Sequence, residues 1–277
     1  MENLKPGPIG VFDSGYGGLT ILSEIQSLMP GYDYIYLGDN SRAPYGSRSF
    51  EIVYEFTLQA VKALFEMGCN LVILACNTAS AKALRTIQQN DLPHIHPDKR
   101  VLGVIRPTVE ITGDITKNGH IGILGTIGTI QSQSYEIEIG KFHPDYKVTG
   151  QACPMWAPLV ENNEHENEGA DYFISKNINQ LLEKDTDIDT VILGCTHYPL
   201  LFDRIRKYFP ENINIVSQGY YVAHSLKDYL KRHKDMDDMC TKNGTTWYYS
   251  TDSAEKFEEA ASIFLGKKIK AEKINIE

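Results

Sequence analysis

The sequence predicts an α/β protein of two pseudo-symmetric, doubly wound lobes, with mostly parallel sheets and a functional site between the lobes. One observation is an internal repeat, since Val72-Ile-Leu-Ala-Cys-Asn-Thr returns 119 residues later as Val191-Ile-Leu-Gly-Cys-Thr-His. Ile9-Gly-Val-Phe-Asp-Ser likewise matches Ile121-Gly-Ile-Leu-Gly-Thr at an offset of 112. A repeat this long is too coarse for a solenoid and indicates a duplication. The other observation is that short apolar runs alternate with helical patterns.

The candidate strands are short and unbroken rather than alternating in polarity. This pattern is typical of strands that are buried on both faces of a parallel sheet. In chain order they are Ile9–Phe12, Tyr34–Leu37, Leu71–Ala75, Val101–Val104, Ile121–Leu124, Lys147–Gly150, Thr190–Gly194, Ile213–Ser217 and Trp247–Ser250.

Four helices are predicted from apolar residues at helical spacing. The clearest spans about Ser49 to Met67, where Gly68 is a natural stop. The others are a helix from near Ser80 that ends before Pro93, a helix over Asp171–Leu182, and a final helix to about Leu265 that the capping box Asp252-Ser-Ala-Glu255 opens.

Composition and charge exclude several classes of protein. The 277 residues are 42% hydrophobic and 23% charged, which is ordinary for a globular protein with a substantial core. The net charge of −9 argues against a broad surface for nucleic acid or an anionic membrane. No apolar run approaches the roughly 20 residues that span a bilayer, and the residues from Met1 to Pro8 lack a signal-peptide pattern. We therefore expect a cytoplasmic protein with no membrane or nucleic-acid partner.

The five cysteines are odd in number and widely spaced, so a disulfide framework is not expected in a reducing compartment. Cys69 and Cys240 have no chemically suggestive neighbours. Cys76 and Cys195 each lie between a strand and a predicted helix, where a helix N-terminus favours the thiolate. A buried cysteine often only packs, but two cysteines at matching places of a repeat favour a function.

Ligands bind at the carboxyl ends of strands in open parallel sheets, and several polar groups fall there. His197 follows Cys195 closely enough to be its proton donor or thiolate partner. Asp13 either caps the next helix or places a carboxylate near a reacting centre. The following Gly15-Tyr-Gly-Gly is neither a P-loop nor a dinucleotide fingerprint, although its amides are able to hold a carboxylate. A zinc site at the cysteines and His197 is disfavoured because no close cysteine pair exists.

Five motifs together resemble the glutamate racemases, from about Ile9 to Leu265. The related aspartate racemases share the two cysteines but not all of these motifs. The motifs are Phe12-Asp-Ser-Gly-Tyr-Gly-Gly, Ala43-Pro-Tyr-Gly46, Ala75-Cys-Asn-Thr-Ala-Ser80, Gly125-Thr-Ile-Gly-Thr129 and Gly194-Cys-Thr-His-Tyr-Pro199.

The resemblance implies an enzyme that interconverts L- and D-glutamate without a cofactor or metal and supplies D-glutamate for peptidoglycan. It implies that Cys76 and Cys195 are the two acid–base residues, that Asp13 and His197 assist them, and that the enzyme is a homodimer. Interleaved family lobes imply residues 1–102 with 216–277 as the first lobe and residues 103–215 as the second. The substrate-binding residues implied are Asp13, Ser14, Tyr45, Gly46, Asn77, Thr78, Thr196 and His197, with Thr126, Thr129 and Glu161 added.

Two segments depart from the commoner family pattern. Arg106 stands where an acid is frequent, and Ser217-Gln-Gly replaces a strand end that contains aspartate. Both lie outside the cysteine motifs, so they affect lobe contacts and regulation rather than the reaction. Two other functions remain open, namely a two-cysteine racemase of another amino acid such as aspartate, and a catalytically silent binding protein on this fold, such as a topoisomerase-inhibiting partner.

Overall fold

A computed structural model describes residues 5–276 of the chain. The signal-peptide prediction rests in part on the first four residues, which lie outside the described range. Within that range the strands are β1 Ile9–Asp13, β2 Tyr34–Gly38, β3 Leu71–Leu74, β4 Arg100–Gly103, β5 His120–Gly125, β6 Lys147–Ala152, β7 Thr190–Gly194, β8 Asn214–Val216, β9 Thr246–Ser250 and β10 Ala271–Lys273.

Helices connect most of these strands, as the alternating pattern predicts. The α-helices of the described residues are α1 Leu19–Leu28, α2 Phe50–Glu66, α3 Asn77–Lys82, α4 Leu84–Thr86, α5 Leu92–Ile95, α6 Ile105–Glu110, α7 Thr112–Ile115, α8 Ile127–Gln131, α9 Ser134–Phe142, α10 Trp156–Glu161, α11 Glu168–Lys184, α12 Phe202–Tyr208, α13 Gln218–Arg232, α14 Lys234–Asp238 and α15 Ala254–Leu265. Short 3₁₀ helices span Asn40–Arg42 and Tyr198–Leu201, and a π-helical segment spans Ile87–Asp91.

The strands form two sheets, and every pair of neighbouring strands is parallel. The first sheet has the order β10-β9-β2-β1-β3-β4, and the second has the order β6-β5-β7-β8. The orders β2-β1-β3-β4 and β6-β5-β7-β8 are equivalent, because each strand of the first half corresponds to the strand four places later. The predicted α/β fold and its pseudo-symmetry are therefore confirmed.

Most predicted elements agree with the structure to within a few residues. Ser49 caps α2 by accepting a hydrogen bond from the Ile52 amide, and Gly68 follows the helix with a φ of 95°. A non-glycine residue adopts such a φ only with strain, so Gly68 ends the helix as predicted. The last short strand, β10, was not predicted because its residues have little β-propensity.

Two predicted helix starts are wrong. The helix expected from Ser80 to before Pro93 instead begins at Asn77, and the helical path continues past Pro93, which occupies a first-turn position of α5. Proline is compatible with that position because its missing N–H has no intrahelical partner there. The capping box at Asp252 is also wrong, because Ser253 caps α15 by accepting from the Lys256 amide.

The chain returns to the first sheet after the second is complete. Helix α13 packs against α1, and Gly219 allows close approach, since a Cβ there would lie 2.7 Å from Glu24 Cγ. Strands β9 and β10 then extend the first sheet. Each sheet separates two clusters of buried apolar side chains, so both sheets are covered on both faces. Among residues 5–276, no helix is long and apolar enough to cross a bilayer.

Candidate active site

Asp13 is the last residue of β1 and begins a tight glycine-rich turn. Its Oδ1 accepts a hydrogen bond from the Gly15 amide at 2.8 Å. Gly18 lies so close that a Cβ there would be 2.5 Å from Asp13 Cβ. Burial raises the pKa of Asp13, while the charge of His197 and the amides of Gly15 and Gly18 act to lower it. The turn therefore encloses a carboxyl group away from water.

Cys76 is the N-cap residue of α3, two residues beyond the end of β3. Its Sγ accepts from the Ala79 amide at 3.5 Å and lies 3.4 Å from Ser14 Oγ. Burial raises the pKa of the Cys76 thiol to about 12, and the nearby charges of Asp13 and Cys195 add to the rise. Cys76 is therefore a protonated thiol in the free protein, within electrostatic reach of Cys195.

Cys195 directly follows β7, at the position equivalent to that of Cys76. Its Sγ lies 3.7 Å from His197 Nδ1, and His197 Nε2 lies 2.9 Å from Glu161 Oε1. Burial alone would lower the pKa of His197, but its contacts with Cys195 and Glu161 outweigh burial and hold the pKa well above its usual value. These contacts favour a positively charged imidazolium beside the sulfur.

The two strand ends meet directly. Thr196 Oγ1 donates to Asp13 Oδ2 at 3.5 Å, and Thr20 Oγ1 donates to the Thr196 carbonyl at 3.0 Å. Gly17 sits against the same segment, since a Cβ there would be 2.3 Å from Thr196 Oγ1 and 2.5 Å from His197 Nδ1. The glycine-rich turn after β1 thus packs on the Cys195-Thr196-His197 segment with no room for a side chain.

Three threonine hydroxyls form a second contact between the halves. Thr78 Oγ1 lies 2.9 Å from Thr126 Oγ1 and 3.4 Å from Thr129 Oγ1. Thr126 also caps α8 by accepting from the Thr129 amide. The Gly46 carbonyl accepts from the Gly128 amide at 2.8 Å, which joins the loop after β2 to the start of α8. Residues from three of the five predicted motifs therefore converge at this contact.

The side chain of Tyr45 is buried, and its hydroxyl donates to Asp39. Arg42 Nε donates to the same Asp39 oxygen at 2.7 Å. Burial raises the pKa of Tyr45 further above its normal range, and the Asp39 charge adds to the rise, so the hydroxyl stays protonated. The Tyr45 hydroxyl is therefore committed to Asp39, and the contact of its loop with α8 is made by the Gly46 carbonyl.

Sequence reasoning missed two buried residues that hydrogen-bond to Asn77. Tyr135 donates to Asn77 Oδ1 at 2.7 Å, and Asn77 Nδ2 donates to Gln218 Oε1 at 2.6 Å. Tyr135 follows the Gly125–Thr129 motif by six residues, and Gln218 lies in the segment that departs from the family pattern. The departure singles out that segment but predicts an effect on lobe contacts and regulation, whereas Gln218 hydrogen-bonds to the residue that follows Cys76.

Most of the predicted site is closed to water. Cys76 and Cys195 are each 6% exposed, and Asp13, Asn77, Thr78, Thr196 and His197 are also buried. Ser14, Thr126 and Gly46 are partly exposed, and the Glu161 side chain is 27% exposed. Both sulfurs are therefore largely shielded from water in this structure.

Two other polar groups lie away from these residues. Arg106 is exposed and pairs with Glu110, with Nε 3.0 Å from Oε1. Among residues 5–276, His120, Asp185 and Asp187 place potential metal-ligand atoms within 4.8 Å of one another. Asp185 already lies 3.0 Å from His120 Nδ1 and pairs with Lys147, so a protein cation already balances its charge. His120 begins β5, whereas the cysteines follow the carboxyl ends of their strands.

The fold and these strand-end residues define the class. The model of the Asp/Glu/Hydantoin racemase family matches residues 19–218. The chain belongs to this family, which confirms the predicted isomerase and the resemblance found in the motifs.

Full-length relatives narrow the comparison. A glutamate racemase of Persephonella marina is 38% identical over 269 residues, covering 97% of each chain. The crystal structure of glutamate racemase isoform RacE1 from Bacillus anthracis has a TM-score of 0.88 at 36% identity, again over 97% of each chain. A glutamate racemase from Francisella tularensis, solved in complex with D-glutamate, has a TM-score of 0.86 at 29% identity over 97% of each chain. An aspartate racemase structure from Picrophilus torridus, at 16% identity and a TM-score of 0.51, shares only the fold.

Proposed function

We propose that this chain interconverts L- and D-glutamate by acid–base catalysis with Cys76 and Cys195 and without a cofactor. The observation that carries the proposal is the placement of two buried thiols at equivalent strand ends, within electrostatic reach of each other. Relatives named glutamate racemase that match nearly the whole chain support glutamate as the substrate.

Racemisation moves one proton off Cα and places another on the opposite face. In the L-to-D direction, the Cys195 thiolate takes the Cα proton, and the electron pair of the broken C–H bond stays on the substrate. That pair then forms a new bond to the proton that the Cys76 thiol gives up. The raised pKa of Cys76, about 12, supports its role as the acid in this direction. In the reverse direction the two roles exchange.

The neighbours of each sulfur define its helpers. His197 lies beside Cys195 and stabilises the thiolate, while Glu161 holds the imidazolium in place. Ser14 and Asp13 lie beside Cys76, where Ser14 Oγ is able to donate to a thiolate. Asp13, when ionised, offers a carboxylate for the substrate ammonium.

The developing negative charge on the substrate needs hydrogen-bond donors. Side chains and amides of Asn77, Thr78 and Thr196 lie next to the two sulfurs, and Thr126, Thr129, Tyr45 and Gly46 complete the lining. In a closed site such donors act at low dielectric and need no reorganisation during the reaction. The burial of the predicted residues supports this form of stabilisation.

The remaining proposals follow the family resemblance. We propose that residues 1–102 with 216–277 and residues 103–215 act as the two lobes that open and close. The joining of β9 and β10 to the sheet of β1–β4 supports this division. D-glutamate made in the cytoplasm would supply peptidoglycan synthesis, and the functional unit would be a homodimer.

The test is an assay of glutamate racemisation by the purified protein. Circular dichroism monitors the change of enantiomer, and solvent deuterium incorporation monitors proton exchange at Cα. Cys76→Ala and Cys195→Ala should each lower kcat by at least about a hundredfold, the lower end of what a general acid or base contributes. Cys240→Ala removes another buried thiol and is the matched control. Near-normal turnover in either of the first two variants would refute the two-thiol mechanism. Faster turnover of aspartate than of glutamate would refute glutamate as the substrate.

A second measurement tests the absence of a cofactor. Activity should survive dialysis against a chelator and treatment with a carbonyl reagent, because a thiol pair needs neither metal nor pyridoxal phosphate. Loss of activity that only added metal or pyridoxal phosphate restores would contradict the mechanism.

A further inference from the structure

Three buried side chains form a closed ring of hydrogen bonds beside Cys76. Asn77 Nδ2 donates to Gln218 Oε1 at 2.6 Å, and Gln218 Nε2 donates to Tyr135 Oη at 2.8 Å. Tyr135 Oη donates to Asn77 Oδ1 at 2.7 Å and so closes the ring. All three residues are at most 2% exposed. Each member donates to the next in the same sense, so no polar atom of the ring lacks a partner within it.

A fourth residue fixes the direction of this ring. Thr108 Oγ1 donates its hydrogen to the Val104 carbonyl at 2.8 Å, so its oxygen is left to accept. Gln218 Nε2 lies 3.0 Å from that oxygen, which requires the NH₂ group of Gln218 to face it. The Gln218 carbonyl must then face Asn77, which must present its own NH₂ group. The Val104 carbonyl, 3.3 Å from Gln218 Nε2, imposes the same orientation, so these two acceptors together set both amides.

The ring uses only one of the two Asn77 Nδ2 hydrogens as a hydrogen-bond donor. The other remains for a ligand, on a residue that directly follows Cys76. Tyr135 also packs against Gly194, the residue before Cys195, since a Cβ on Gly194 would lie 3.3 Å from Tyr135 Cε2. The ring therefore joins α3, α9 and α13 at a point next to both strand ends.

We propose that Gln218 and Tyr135 are positioning residues that hold the Asn77 amide with one Nδ2–H directed at the reacting substrate. This inference rests on the proposed racemase function and deepens it. Neither residue touches the substrate. Both act through Asn77, whose amide would otherwise be free to flip its oxygen toward the developing negative charge and repel it.

The test is a double-mutant cycle on racemisation of glutamate. Tyr135→Phe and Gln218→Leu should each lower kcat/KM by about tenfold or more, because each leaves a buried amide group unpaired. In an Asn77→Ala background, the same two changes should alter kcat/KM by less than about twofold, since the group they position is gone. Deuterium incorporation at Cα extends the measurement to slow variants.

Tyr34→Phe is the matched control for Tyr135→Phe. It removes the hydroxyl of another buried tyrosine, which donates to the Met29 carbonyl at 2.8 Å. Tyr34 begins β2, whereas Cys76 and Cys195 follow the carboxyl ends of their strands. It should lower the midpoint of thermal unfolding comparably and leave kcat/KM unchanged. If Tyr135→Phe and Gln218→Leu behave like this control, or if their losses persist in the Asn77→Ala background, the positioning role is wrong.

Gln218→Glu gives a readout that a purely structural role would not change. An ionised carboxylate there accepts from Tyr135 and draws its hydroxyl away from Asn77, whereas a protonated carboxyl is able to donate and restore the ring. The ratio of variant to wild-type kcat/KM should therefore rise as the pH is lowered, and a ratio independent of pH would refute the inference. Failure of the wild-type protein to racemise glutamate would instead refute the proposed function, and this measurement requires no variant.

Discussion

Gly17→Ala should separate the two halves of the site by a distance that the structure defines. The added Cβ would lie 2.3 Å from Thr196 Oγ1, whereas ordinary contact begins at 3.4 Å, so the threonine must retreat by about 1.1 Å. The Cβ would also lie 2.5 Å from His197 Nδ1, the atom that faces Cys195. A misplacement of about 1 Å costs on the order of a hundredfold in rate, or about 2.7 kcal/mol of transition-state stabilisation.

The assay is kcat/KM for L- and D-glutamate by circular dichroism, together with thermal unfolding of each variant. We expect a loss of about a hundredfold in both directions. Gly140→Ala is the control, because a Cβ there meets no atom within 4 Å and the residue lies inside α9. That change should stabilise the fold by about 0.5–1 kcal/mol and leave the rate unchanged. If Gly17→Ala retains kcat/KM within twofold of wild type, close packing of the turn against Thr196 and His197 is not required.

Two further predictions concern ionisation. Asp13→Asn should abolish most activity yet raise the free energy of unfolding at pH 7, because burial raises the pKa of Asp13 and its ionisation opposes folding. That gain should disappear as the pH falls below about 3.8, which denaturant unfolding at several pH values would show, and a variant less stable than wild type at pH 7 would contradict it. Glu161→Gln should lower the pKa of His197, because it removes one of the two partners that raise it. The stability that His197 supplies is fully present below about 6.5 and is lost as the pH rises through its raised pKa, so the variant should lose it at a lower pH. An NMR titration of the imidazole measures this, and an unchanged midpoint would show that Glu161 does not hold the charge.

Local patterns were sufficient to predict the sheets and the strand-end chemistry. Unbroken apolar runs are visible within a few residues, and the carboxyl ends of parallel strands must lie along one edge of each sheet. The matching offsets of Cys76 and Cys195 therefore predicted equivalent positions without any knowledge of contacts. The equivalent strand orders of the two sheets confirm this inference.

The start of α3 shows why boundaries were harder to predict. Asn77 and Thr78 have weak helix propensity, so the helix was expected to begin near Ser80. In the structure, Cys76 caps the helix through its sulfur, and Asn77 is held by groups 58 and 141 residues away in the chain. Tertiary hydrogen bonds thus override the local preference, and no short window of sequence contains them.

The same limit applies to Tyr135 and Gln218. The sequence around each residue is that of an ordinary helix, and neither residue belongs to one of the recognised motifs. Their importance comes from a ring that closes only when α3, α9 and α13 are packed together. Tyr45 illustrates the reverse case, because a residue within a recognisable motif has its hydroxyl committed to Asp39.

The equivalent strand orders of the two sheets place two thiols, those of Cys76 and Cys195, in different surroundings. Ser14 lies beside the first sulfur and His197 beside the second. Mirror-image amino acids have equal free energies in water, so the equilibrium mixture contains both hands in equal amounts. A catalyst of this interconversion must therefore show the same specificity constant for either hand. The different surroundings of the two sulfurs can therefore change kcat and KM only by the same factor. The enantiomer with the higher kcat must also have the higher KM.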